Sequence, residues 1–157
     1  MPNETTVLRH KDVWSGVYRH VSFEIVRRSA YDGKDIWNYY LILPEEQIPE
    51  ALRENAETLL SQLEWHGGMT YYVHYPQLPC QPPHIKAGCD YNHSWDEDMT
   101  FNLECLHYDV RHCIDSLHAE MPIRCRCKAT GLWFDTAAEA GESERQYFEA
   151  LKKKGYI

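Results

Sequence analysis

The sequence predicts an α+β fold, a mostly antiparallel sheet with helices packed on one face. Three observations predict it. Apolar residues alternate along several short runs, they recur at helical spacing along others, and the strand-like runs come in pairs ahead of each helix-like one. Pairing of this kind disfavours a doubly wound parallel sheet, in which strands and helices alternate singly. The expected order is β-β-α-β-β-α-β-α in a single domain over residues 1–157. A chain this long buries roughly 70% of its unfolded surface, enough for a core without staples.

Each element follows from its own pattern. Residues 17–28 set Val17, Val21, Phe23 and Ile25 on one side and Tyr18, His20, Ser22 and Glu24 on the other, the period of a half-buried strand. Ile36 to Leu43 is a second strand, joined to the first through Tyr31-Asp32-Gly33-Lys34, where Asp-Gly tolerates the backbone of a tight connection. Pro44 stops that strand. Pro49 suits a first helical turn, and Ile48, Leu52, Ala56, Leu59, Leu60 and Leu63 then predict an amphipathic helix of about four turns closed by His66-Gly67-Gly68. A third strand spans Met69 to Tyr75. The prolines of residues 76–84 exclude helix and central strand and predict an exposed rigid loop. A fourth strand, Ile85 to Tyr91, precedes a polar segment and then a second helix. Leu103, Leu106, Val110, Cys113, Ile114 and Leu117 are its stripe, Asn102 its N-cap and Pro122 the residue past its end. Ile123 to Lys128 reads as a fifth strand that Leu132-Trp133-Phe134 continues across a turn at Gly131, and Glu142 to Lys154 reads as a short helix.

Composition removes several functions. With 16 Lys+Arg against 24 Asp+Glu the net charge is −8, and the chain has no overall basic footprint for general DNA or RNA binding. The opening residues hold no apolar run of signal-peptide length, and nowhere do about 18 apolar residues stand together, so a cytoplasmic protein without a membrane partner is expected. In a reducing compartment the six cysteines are free thiols or metal ligands rather than disulfides. Lys152-Lys153-Lys154 offsets a helix dipole and is too short for a nucleic-acid arm.

Polar, reactive residues gather at two strand ends, Trp65 to Tyr71 and Gly88 to Asp98. If the third and fourth strands are antiparallel neighbours, the start of one lies opposite the end of the other. His66 then shares an edge with Asp90, His93 and Asp96. Two imidazoles with carboxylates suit a divalent metal, with His66, Asp90 and His93 as ligands, or general acid–base work. Gly67 and Gly68 leave the backbone open to a ligand. The same residues also read as an ordinary helix stop and an acidic turn before a helix. A second set, Cys80, His84, Cys89 and His93, offers zinc-type donors at irregular spacing, and Cys125 with Cys127 places two thiols on one side of a strand. His107, His112 and His118 decorate the polar face of the second helix. No phosphate loop, G-x-S-x-G elbow or H-E-x-x-H occurs in the chain.

The run HGGMTYY at 66–72, a strand closing in GCDYNHSWDED at 88–98, and a helix beginning near Leu103 resemble a group of small uncharacterised phage and prophage proteins. His66, Gly67, Gly68, Thr70, Tyr71, Gly88, Asp90 and His93 fit that group's His-Gly-Gly-x-Thr-Tyr and Gly-x-Asp-x-x-His pattern, over roughly residues 60–120. The resemblance implies a phage-type accessory protein acting in the host cytoplasm, and such products often block host defences, CRISPR systems among them. The leading expectation is therefore an inhibitory binding protein. Its acidic, aromatic-rich surface, with Asp96, Glu97 and Asp98 as contact residues, would meet a host protein or ribonucleoprotein with a basic groove. The alternatives are a metal-dependent hydrolase and a protein that binds or sequesters a small nucleotide, both using the His66/Asp90/His93/Asp96 cluster.

Overall fold

The computed structural model describes residues 11–29, 33–96 and 99–157. Five strands, β1 (Lys11–Tyr18), β2 (Val21–Ser29), β3 (Asp35–Pro44), β4 (Tyr71–Tyr75) and β5 (His84–Asp90), form one fully antiparallel sheet in the order β1-β2-β3-β5-β4. The α+β architecture is the expected one, and β4 and β5 are antiparallel neighbours. No helix among the described residues is long and apolar enough to cross a membrane.

The first strand is not the single run from 17 to 28. It breaks at Arg19 and His20, both at positive φ (46° and 67°), which is the two-residue turn whose twist matches a hairpin. Lys11–Tyr18 before it is a further strand. Its residues alternate exposed and half-buried because β1 is an edge strand, so its apolar alternation is weak and Val17 lies out in solvent. In the connection expected between β2 and β3, Tyr31 and Asp32 lie outside the described residues, while Gly33 takes φ +81°.

The sheet face toward the helices carries Phe23, Ile25, Trp37, Tyr39, Leu41, Leu43, Ile85, Ala87 and Cys89, all buried. Residues 49–63 are not one four-turn α-helix. A 3-10 helix over Glu50–Asn55 leads into the short α1 (Ala56–Ser61), and Asn55, a poor helix-interior residue, sits at the junction in a non-helical conformation. The apolar spacing still does its work, since Ile48, Ala56, Leu60 and Leu63 are all in the core. The second helix, α2 (Leu103–Glu120), matches expectation closely. Asn102 caps it by accepting a hydrogen bond from the Cys105 N–H (2.9 Å), and Leu106, Val110, Cys113, Ile114 and Leu117 are fully buried against β2 and β3. Each such side chain contributes about 1.5–3 kcal/mol of transfer free energy.

Beyond α2 the expected fifth strand does not join the sheet. Strands β6 (Cys125–Arg126) and β7 (Trp133–Phe134) are two residues each and pair only with one another, with Gly131 at φ +75° in their turn. Arg124 pins this hairpin elsewhere. Its N–H donates to Gln47 O (2.8 Å) and its guanidinium to Trp133 O (3.1 Å) and Asp135 (3.3 Å). The last helix, α3 (Ala137–Lys153), starts five residues before Glu142, because Thr136 accepts from the Glu139 N–H (3.2 Å) and donates its hydroxyl to the Glu139 carboxylate (3.0 Å). Cys125, Cys127 and Ala140 form a second, small core with Ala129 and Phe134.

Candidate functional site

Two segments reach the same end of β5 for separate reasons. After α1 the chain is anchored by Trp65, whose indole N–H donates to Leu60 O (2.6 Å) and whose ring stacks on Tyr39 (5.6 Å between centroids). His66 follows directly. Gly67 and Gly68, at φ +71° and +98°, then reverse the chain so that the Thr70 N–H can pair with Gly88 O (2.9 Å) and lead into β4. From the other side, β5 ends at Asp90, and Tyr91 N–H donates to Trp37 O (2.9 Å). A single 3-10 turn, Ser94–Asp96, then folds Asp96 back onto His93.

The result is a carboxylate held between two imidazoles. Asp96 Oδ1 accepts from His66 Nε2 (2.8 Å), and Asp96 Oδ2 accepts from both the His93 Nδ1 (3.0 Å) and the His93 backbone N–H (3.1 Å). Asp96 is only 6% exposed. Burial pushes its carboxyl up, but the His93 backbone N–H and the two imidazoles outweigh that and hold it below the usual carboxylate range. An ionised Asp96 accepts, so without an ion each imidazole donates from the nitrogen that faces it; an ion held there would take that nitrogen's lone pair, with the proton on the other ring nitrogen.

Aromatic rings fix both imidazoles. His66 stacks on Tyr91 (3.9 Å, 11°) with Phe101 edge-on (5.5 Å), and His93 stacks on Trp95 (4.3 Å, 11°). Tyr91 is itself held by its hydroxyl, which donates to Asp109 on α2, and burial foremost keeps that phenol protonated well above its ordinary range. Gly67 is required by contact as well as by φ. A Cβ there would stand 2.5 Å from His93 Cε1. The glycine expected to open the backbone to a ligand instead makes room for a site residue, whereas a Cβ on Gly68 would meet nothing within 4 Å.

Of the residues the sequence nominates, His66, His93 and Asp96 converge, and their donor atoms lie within 4.8 Å of one another. Such a group could hold a metal ion: two nitrogens and one carboxylate oxygen suit zinc-class ions, whose tetrahedral sites space their donors roughly 3.4 Å apart. Asp90, expected as a ligand, stands just outside. Its Oδ1 accepts from the Asn92 N–H (3.1 Å) and is 3.9 Å from His93 Nδ1, so Asp96 takes the place expected for it. Thr70 serves the β4–β5 pairing. Tyr71 packs on Tyr40 (5.3 Å) and shares a hydrogen bond with the Tyr75 hydroxyl (3.0 Å), away from the cluster. Asp96 turns inward and is no surface contact, while Glu97 and Asp98 lie outside the described residues.

The alternative zinc set disperses. His84 and Cys89 are five residues apart on β5, about 16 Å at strand rise, and Cys80 is out on the exposed loop. Cys89 is buried, which pushes its thiol up to about 12. Cys125 and Cys127 sit in the small core, and all six cysteines are free.

Beside the cluster a cavity of about 310 Å³ is bounded by Asp35, Trp37, Asn92, His93, Asp96 and Phe101, among others. Tyr91 and Trp95, inside the Gly88–Asp98 run, and Phe101 just past it hold the imidazoles and were not expected among the site residues. No protein-family model matches this chain, and neither does any curated protein or solved structure.

Proposed function

We propose that the chain is a metal-dependent hydrolase for a small substrate, with His66, His93 and Asp96 holding one divalent ion of the zinc class. The observation that carries this reading is a nearly buried carboxylate clasped by two imidazoles that come from separate chain segments and are locked by stacked rings. Three protein donors leave a coordination position for water, the arrangement of catalytic rather than structural zinc sites. A bound ion would lower the pKa of that water toward neutrality and so supply hydroxide for attack on an ester or phosphate.

The chain's own residues set the rest. Tyr91, Phe101 and Trp95 fix the imidazole planes, and Gly67 keeps the space that His93 occupies. A cavity of about 310 Å³ is at the small end for ligand pockets, the scale of a small molecule. The test is incubation of the zinc-loaded chain with a panel of nucleotides and phosphate esters. Hydrolysis that disappears in His93→Ala, with unchanged circular dichroism, supports the reading. Binding without product would make the chain a sequestering protein, and neither binding nor turnover would overturn it.

A second reading is the inhibitory binder that the phage resemblance implies. Its support is Trp95, 61% exposed although stacked on His93, an aromatic anchor beside the acidic run. On this reading, binding to a basic host protein or ribonucleoprotein weakens steeply as salt rises and is lost in Trp95→Ala. Salt-independent binding would contradict it.

A further inference from the structure

We propose that α3 is a self-association surface and that two copies of this chain pair through it antiparallel. Helices of this length draw most of their stability from packing an amphipathic face, yet α3, 17 residues long, buries only Ala140. It packs chiefly on the small β6–β7 hairpin. Residues 140, 144, 147 and 151 share one face at helical spacing. Ala140 seats that face on the hairpin core, and Tyr147 (40% exposed) and Leu151 carry it past the end of what covers it, with Phe148 (46% exposed) alongside.

The charges on α3 name the occupant. Glu139, Glu142 and Glu144 lie in its first half, and Lys152, Lys153 and Lys154 stand at its end, where none of the three lysines forms an ion pair among the described residues. Arg145 ties Glu142 and Glu149 within the helix, so the lysines are left to an outside partner. A helix acidic at one end and basic at the other is complementary to a reversed copy of itself. With the two-fold axis near Tyr147, the lysines of each chain fall level with the segment of the other that runs from Glu139 to Glu144, and the two tyrosines meet at the centre. Such a contact is isologous and closes as a dimer. Parallel pairing would set lysine against lysine. A basic helix from another protein would fit the acidic half alone, and an acidic one only the lysines.

Sedimentation velocity over a concentration series from low to high micromolar tests this on the full chain. The expected result is a mass that rises from that of one 18.5 kDa chain to twice that value. Dissociation should be at least about tenfold stronger in Tyr147→Glu, and similarly in the triple change Lys152→Glu, Lys153→Glu, Lys154→Glu. Both changes are on the surface, so far-UV circular dichroism should match the wild type in the rest of the fold. Added salt should weaken the dimer, because the antiparallel contact is attractive. A chain that stays monomeric throughout overturns the proposal, as does a dimer that neither variant weakens, and a dimer that salt strengthens overturns the antiparallel arrangement.

Discussion

Asp96 accepts three hydrogen bonds while almost wholly out of solvent, and its neighbours hold it ionised. Asp96→Asn removes the charge that both imidazoles and the His93 N–H were set to meet, so it should lower unfolding free energy by about 1–3 kcal/mol. The pH dependence follows from a depressed folded-state pKa. The stabilisation is present above the ordinary value of 3.8 and is lost as pH falls below it through the folded value. Denaturant titrations at a series of pH values should therefore show the advantage of wild type over Asp96→Asn holding at neutral pH and shrinking below about 4. The two glycines make a sharper pair. Gly67→Ala drives a Cβ into the His93 ring and should abolish metal binding, whereas Gly68→Ala meets open space and should cost only the strain of φ +98°, about 1–2 kcal/mol, with metal binding kept. Calorimetric titration with zinc separates them. The sequence showed which residues are reactive and which edge they share, because chemistry and strand order are both written in residue types. It did not show that Asp96 rather than Asp90 completes the set. That choice depends on one 3-10 turn after the strand, whose direction no periodicity records.

At the scale of elements, the Arg19–His20 turn is open to improvement. Both residues sit at positive φ, yet the outside contacts of His20 use its carbonyl, which accepts from Gln47 Nε2 (2.6 Å). His20→Gly keeps that bond and relieves the left-handed strain, so it should stabilise the protein by about 1 kcal/mol, read as a raised denaturation midpoint. Asn102→Ala should act the other way, by about 0.5–2 kcal/mol, through the lost cap of α2. Elements with a full buried stripe, α2 above all, were legible in the sequence, since burial enforces period. Strand β1 was not, because an edge strand half in solvent needs no strict alternation. The start of α3 was legible but missed: Thr136 followed three residues later by Glu139 is a capping box, and the glycine at 141 conceals the run that follows.

The whole molecule positions the site by joining two independent supports, the Trp65 anchor after α1 and the end of β5, in the antiparallel order that brings His66 opposite Asp96. A ligand that needs both supports binds only the folded chain and stabilises it. Zinc at about a hundredfold over its dissociation constant adds about 2.7 kcal/mol, and for a chain of this length that should raise the melting temperature by about 5–10 °C. Protons and the ion compete for the same donor atoms, so the shift should fade as pH is lowered. Of the acidic residues expected at a contact surface, Asp96 is turned inward between the two imidazoles, where it could hold a metal ion. The most direct test is the zinc stoichiometry of the chelator-stripped full chain and of His66→Ala and His93→Ala. One ion per wild-type chain, and none in either variant at unchanged circular dichroism, is the result predicted. No bound zinc in the wild type, or equal binding in all three, would contradict the metal centre.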